Sequence, residues 1–469
     1  MSWVNPTNVV AFLTVLLFWF SSFELSCSAR EGKQWRQSVA GGSHHRMTAS
    51  WPNIGSSTAS STSAATSTAM FNVLDHGAKG DGRTDDTKAF QAAWDEACKV
   101  EASTVVVPLG SVFLVGPISF SGPNCQPNIA FQLDGKIIAP TSSSAWGGLL
   151  QWIEFAKLKG ITIKGKGTID GQGSVWWNDS PTIAEDSTTN ETISAELKGM
   201  PGTKPTALRF YGSNGVTVTG ITIQNSPQTH LKFDDCTSVQ VSNFVASSPG
   251  DSPNTDGIHL QNSQDVVISA TTLACGDDCV SIQTGCSNVN IDNVKCGPGH
   301  GISIGGLGKD STKACVSNIT VRDVTMHNTL TGVRIKTWQG GSGAVKQVTF
   351  SNVQVSEVET PIMIDQFYCD KGHCKNQSSA VQLSGINYVN IRGTYTMQPV
   401  HFACSDSIPC SGVSLNTIEL KPVQESRHLD GPFCWEAYGE LKTTTEPPIS
   451  CLETQKHAKG NTQSNSESC

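Results

Sequence analysis

Val216-Thr217-Val218, Val239-Gln240-Val241, Val266-Val267-Ile268, Val289-Asn290-Ile291, Ile319-Thr320-Val321 and Val348-Thr349-Phe350 follow one another through the middle of the chain, each apolar at its first and third positions. A second series runs between them: Leu231-Lys232-Phe233, Ile258-His259-Leu260, Val280-Ser281-Ile282, Ile302-Ser303-Ile304, Val333-Arg334-Ile335 and Ile362-Met363-Ile364. Side chains alternate across a strand, so each triplet buries its two ends and turns its middle residue outward. Members of one series recur 22 to 31 residues apart, with no helix-length segment between them. Such a period marks a solenoid. Three-residue strands joined by turns fit a parallel β-helix better than leucine-rich or helical repeats, and a β-sandwich needs longer strands and paired hairpin turns. The expected fold is therefore all-β, a parallel β-helix.

Before the repeats, an extended segment Phe71-Asn72-Val73 and a turn run through Gly77, Gly80 and Gly82 lead into a short helical pattern. Ala89, Phe90, Ala93, Trp94 and Ala97 share one face of it, and Asp85 or Asp86 is placed to cap it. One helix at the start of a strand solenoid serves as a cap, because the first coil otherwise exposes its core. Residues 30–70 are rich in Ser, Thr, Ala and Gly, which bury too little apolar surface to order, so a disordered linker is expected there. Ahead of it, an apolar run from Val9 to Phe20 and the small-residue site Cys27-Ser28-Ala29 read as a signal peptide over 1–29, too short to cross a bilayer comfortably. The folded unit is expected over 71–453 and a polar tail over 454–469.

Composition agrees with export. Sixteen cysteines suit an oxidising compartment. Four glycosylation sequons begin at Asn178, Asn190, Asn318 and Asn376. Cleavage after Ala29 removes Cys27 and leaves an odd number of cysteines, hence a free thiol or an intermolecular bridge. Cys275 and Cys279 lie four apart without a matching pair, so no zinc site is expected, and no other metal or cofactor. The formal charge of -8 argues against a nucleic-acid partner. An anionic ligand would have to be recruited by a local cluster of bases.

Such a cluster follows from the repeat. Equivalent positions on neighbouring coils stack about 4.8 Å apart. Asp256, Asp278 and His300 each stand two residues before the first residue of a triplet in the second series, on three successive coils. On the next coil Arg334 is the outward middle residue and Lys336 follows its triplet. Asp256, Asp277 and Asp278 thus bring three carboxyls together. Like charges so close cannot all ionise freely, and at least one keeps its proton to higher pH. A protonated carboxyl beside ionised ones suits glycoside hydrolysis, in which one donates a proton to the leaving oxygen and another activates water. Arg334 and Lys336 add fixed positive charge for a substrate bearing carboxylates, a uronic acid polymer. Taken singly, Gly276-Asp277-Asp278, Asn254-Thr255-Asp256 and Gly299-His300-Gly301 are ordinary turn sequences and Arg334-Ile335-Lys336 an ordinary solvated strand. Their shared register on consecutive coils gives them weight together.

These four motifs, in this order, resemble the signature motifs of the polygalacturonases, glycoside hydrolase family 28, and most resemble the plant members. The likeness extends to Asp75-His76-Gly77-Ala78-Lys79-Gly80-Asp81-Gly82 and to the surroundings of His300 from Cys296 to Gly305. It implies a right-handed parallel β-helix, and hydrolysis of polygalacturonate with inversion. Asp277 would be the general acid, Asp256 and Asp278 would hold and activate water, and His300 would support the acid. Arg334, Lys336, Asn254 and Tyr368 would bind substrate. The resemblance further implies a Cys279–Cys296 bridge and suggests Cys98–Cys125, Cys369–Cys374, Cys404–Cys410 and Cys434–Cys451. It leaves Cys236, Cys275, Cys286, Cys315 and Cys469 without partners, several of them expected as small core residues. A monomer acting on pectin in the cell wall is the expected form.

Other readings remain open. Exo action and preference for xylogalacturonan or rhamnogalacturonan lie within the family, although the Arg334 and Lys336 pair argues against rhamnogalacturonan. A pectate lyase would call for calcium and a basic proton acceptor. A non-catalytic pectin-binding wall protein would tolerate loss of an aspartate, and all three are present.

Overall fold

A computed structural model of the chain describes residues 69–147, 149–177, 200–370, 374–423, 429–454 and 469. The expected signal, the linker up to residue 68 and most of the tail lie outside the described residues. So do the sequons at Asn178 and Asn190. The rest is a right-handed parallel β-helix, and all of its inter-strand pairings are parallel.

Both triplet series hold their register. Val216, Val239, Val266, Val289, Ile319 and Val348 are successive partners within a nineteen-stranded sheet. Leu231, Ile258, Val280, Ile302, Val333 and Ile362 are successive partners within an eleven-stranded one. All twelve are fully buried, and burying a side chain of this size is worth about 1.5–3 kcal/mol. Phe155, Phe210 and Phe233 continue the stacking, with ring centroids 5.5 and 5.2 Å apart. A single polar substitution in either column would face apolar neighbours on both adjacent coils.

The strands of the larger sheet are longer than triplets: Gln264–Ala274, Lys313–His327 and Ser342–Val358 each run through a corner, where one residue drops out of the pairing. The corner residue takes a left-handed conformation, at Asn293, Asp323, Asn352 and Asn390 on successive coils. Asn and Asp tolerate this region better than other side chains with a Cβ. They also link coil to coil, Asn390 donating to Asn352 at 2.8 Å and Asn352 to Asp323 at 2.9 Å. The turn chemistry therefore serves as a second, polar ladder outside the apolar one.

The helix Thr87–Ala97 buries the five residues expected of it. Trp94 packs on Phe120 and Phe155 at 5.1 and 5.6 Å, closing the first coil. The N-cap residue Asp86 makes no side-chain cap bond. Its carboxylate instead accepts the N–H groups of Lys79 and Gly80 in the preceding turn. Asp85 accepts the N–H of Thr87 in its place, at 3.0 Å.

The five suggested disulfides are all present. Cys315 and Cys469, expected without partners, form a sixth that ties the end of the chain to the strand Lys313–His327. A separation of 154 residues hides this pair from local spacing. Cys236, Cys275 and Cys286 are free and buried, small apolar members of the core whose thiols burial pushes up in pKa.

Candidate active site

The eleven-stranded sheet carries the acids on its outer face. Asp256, Asp278 and His300 occupy equivalent positions before the strands Ile258–Gln261, Val280–Ile282 and Ile302–Leu307. Their coils approach too closely at the turns for larger residues. A Cβ on Gly276 would collide with the Ser252 carbonyl, and one on Gly301 with the carbonyls of Thr331 and Gly332. Gly301 also has φ +81, a conformation that favours glycine. Thr255 is buried and ties two coils together, since its hydroxyl accepts the Gly276 N–H at 2.8 Å. Cys279, next to Asp278 in the chain, is bonded to Cys296.

Each carboxyl has a different environment. Asp278 is the most buried, its side chain 3% exposed, with Arg334 Nη2 at 2.6 Å and Lys336 Nζ at 2.9 Å. The Ser303 hydroxyl donates to the same carboxylate at 2.7 Å, and Arg334 Nε bonds that hydroxyl at 3.0 Å. Burial alone would raise Asp278. The two cations and the hydroxyl outweigh it and hold the carboxyl below the usual range. Asp277 accepts the Asp278 N–H at 2.8 Å and bonds His300 Nδ1 at 2.9 Å. Asp256 meets His259 Nδ1 at 3.1 Å. Burial, with repulsion from Asp277 and Asp278 and against the opposing pull of His259, pushes Asp256 up to about 6.

Arg334 and Lys336 thus have an internal partner, and both are nearly inaccessible at 7% exposure. Arg334 Nη1 makes no hydrogen bond among the described residues and remains free to donate. Lys336 also lies 5.3 Å from the centre of the Tyr368 ring, which packs edge-on against Trp338. Asn254 is exposed in a left-handed turn at φ 57, and its side chain has no hydrogen bond among the described residues.

Three residues join the site that the motifs did not single out. His259 and Ser303 are outward middle residues of the triplets that follow Asp256 and His300, so the register alone could have found them. His230 precedes the triplet Leu231-Lys232-Phe233 and is fully buried. Its Nδ1 donates to the Asp256 carbonyl and its Nε2 accepts from Ser248, both at 2.8 Å. Burial lowers its pKa to about 4, so it is a neutral clamp on the Asp256 backbone.

Donor atoms of Asp277, Asp278 and His300 lie within 4.8 Å of one another, a spacing that suits a cation. The Asp278 carboxylate already faces two basic side chains and a hydroxyl, so a metal would have to displace them or suffer their repulsion. The set is better fitted to moving protons.

A carboxyl that holds its proton beside one locked as an ion is the pairing used for acid and base work on glycosidic bonds. The sequence profile of the glycosyl hydrolases family 28 matches residues 98–430. The chain belongs to that family. It is 42% identical over 354 residues to a polygalacturonase of Chamaecyparis obtusa, covering 75% of this chain and 67% of that one. It is 40% identical over 387 residues to polygalacturonase-2 of Solanum lycopersicum, covering 82% and 81%. Among solved structures, endo-xylogalacturonan hydrolase from Aspergillus tubingensis superposes with a TM-score of 0.65 at 25% identity, over 77% of this chain and 95% of that one. This family 28 chain is a glycosyl hydrolase enzyme.

Proposed function

We propose that this enzyme hydrolyses the α-1,4 bonds of polygalacturonate, the uronate polymer of pectin, with inversion at the reacting carbon. One observation carries the reading: on two neighbouring coils, Asp278 is fixed as an ion by two buried cations while Asp256 keeps a proton to about pH 6. Above that pH Asp256 is ionised and has the raised proton affinity of a base. In the substrate complex the acid is Asp277, whose side chain is the most open of the three, at 21% against 14% and 3%. Asp277 passes its proton to the leaving glycosidic oxygen as that bond breaks. Water held between Asp256 and Asp278 attacks the anomeric carbon from the opposite face, and Asp256 takes the proton that the water gives up. His300 orients Asp277. The free Nη1 of Arg334, Lys336, Asn254 and Tyr368 meet the sugar units beside the cleaved bond, where the two cations favour uronate.

Export fits this chemistry. A cleaved signal over 1–29 and a spacer over 30–70 deliver a monomeric enzyme to cell-wall pectin, and N-terminal sequencing of the secreted protein would then begin at Arg30. The decisive assay follows viscosity and new reducing ends together on de-esterified polygalacturonate, with Asp277→Asn as the control. Cleavage by the native enzyme, with binding but no cleavage by the variant, supports the reading. Binding without new reducing ends in the native protein removes it.

A further inference from the structure

On the outer face of the eleven-stranded sheet, Arg209, Lys232, His259 and Ser281 are successive register partners, one per coil. Arg209 is paired at both ends of its guanidinium, although its buried Nε has no hydrogen-bond partner among the described residues. Its two terminal nitrogens meet Glu154 at 3.0 Å and Asp234 at 2.6 Å, and it lies 4.8 Å over the Tyr211 ring. Asp234 is the nearest acid to Lys232 along its own strand, and Arg209 occupies it. Lys232 has no hydrogen bond or ion pair among the described residues although it is half-buried. Burial disfavours its ammonium form most; Asp234 and Asp256 pull the other way, and the Arg209 charge adds to the penalty. A cation held in such a place, one coil before Asp256 and His259, lacks the anion its surroundings call for.

The far side of the acids differs. Arg334 and Lys336 stand there with Asp278 already neutralising them. From Lys232 to Arg334 is four coil steps, about 19 Å at the usual strand spacing. Asp277 and Asp278 lie at the midpoint. A pyranose unit is about as long as one coil step, so a polyuronate lying along the sheet sets one carboxylate near each coil.

We infer that Lys232 binds the carboxylate of a uronate unit two removed from the cleaved bond, on the side away from Arg334 and Lys336, and so makes this enzyme select free uronate there. The inference rests on the proposed hydrolase function. Lys232 acts in binding: it holds the polymer across the acids and takes no part in proton transfer.

The test compares the native enzyme with Lys232→Met and Lys232→Arg on oligogalacturonates of increasing length. Loss of one charge-assisted contact should lower kcat/KM about tenfold for polygalacturonate and the longer oligomers. The shortest oligomer that is still cut should change by less than about twofold, because it does not reach Lys232. Lys232→Arg should recover most of the loss. An equal loss at every length, or none, overturns the inference; equal loss with a shifted pH profile would mean that Lys232 only tunes the acids. Lys232→Gln serves as the second neutral variant should Lys232→Met misfold. If the native enzyme leaves polygalacturonate uncut, the hydrolase reading falls, and affinity for oligogalacturonate by calorimetry still decides Lys232. Binding about tenfold weaker in Lys232→Met carries the inference, and unchanged binding overturns it.

Discussion

Replacing Asp256 by Asn should destroy activity and stabilise the fold, but only above acidic pH. The Asp256 carboxyl moves from an ordinary value of 3.8 in the unfolded chain to about 6 in the folded protein, through burial and the repulsion of Asp277 and Asp278. Below pH 3.8 the group is protonated in both states and contributes nothing. As the pH rises through the folded value, the native state must carry a crowded charge that the unfolded chain carries freely, and stability is lost. A rise of this size corresponds to about 3 kcal/mol once the pH has passed both values. Asn carries no charge at any pH and still offers an oxygen to His259. Asp256→Asn should therefore match the native enzyme in stability at about pH 3.5 and exceed it by about 3 kcal/mol at about pH 7.5. At about 2 cal/mol/K of melting entropy per residue, that is about 3 °C in Tm for a chain of this length. Circular-dichroism melts across this pH range measure the difference, and reducing-end release on polygalacturonate should fall at least about a hundredfold in parallel. A Tm gain that does not vary with pH, or a loss at the upper end of the range, refutes the idea that crowding raises the Asp256 carboxyl.

Arg334→Met leaves the buried Asp278 carboxylate with one cation instead of two, and should lower stability by about 3–5 kcal/mol, read as a lower urea midpoint; an unchanged midpoint would show that Asp278 does not depend on it. Asp256 must be ionised to take the proton from water, so kcat/KM should rise as pH rises through about 6, and a rate already maximal well below that would contradict it. Tyr388 is fully buried with its hydroxyl unpartnered among the described residues, so Tyr388→Phe should raise stability by about 1–2 kcal/mol in the same urea assay, and destabilisation would reveal a missing partner.

The fold was legible because each coil repeats the same physical requirement. Two apolar side chains per triplet point inward, and a slip of one residue would turn them outward, so the columns through Val216 and Leu231 fix the register from spacing alone. The same register put Asp256, Asp278 and His300 in one line and Arg334 on the next coil. What spacing could not convey was the direction of side chains that meet across coils. That Asp278 is the acid neutralised by Arg334 and Lys336 depends on how far two long side chains reach back past Ser303. The Cys315–Cys469 bridge was illegible for a related reason: its partner arrives from a tail with no repeat.

This geometry bears on why the acids need both sides of the sheet. The solenoid sets its buried charges on a rigid face at one coil spacing and varies what each is paired with. Asp278 has two cations that hold its carboxyl below the usual range; burial and two like charges, against one histidine, raise that of Asp256. The difference arises from outward residues that contribute nothing to the core: Ser303, Arg334 and Lys336 on the later coils, His259 and Lys232 on the earlier ones. Lys232 lies outside the apolar columns and pairs with no buried charge among the described residues, so a substitution there should alter the choice of substrate before it alters the stability of the coil.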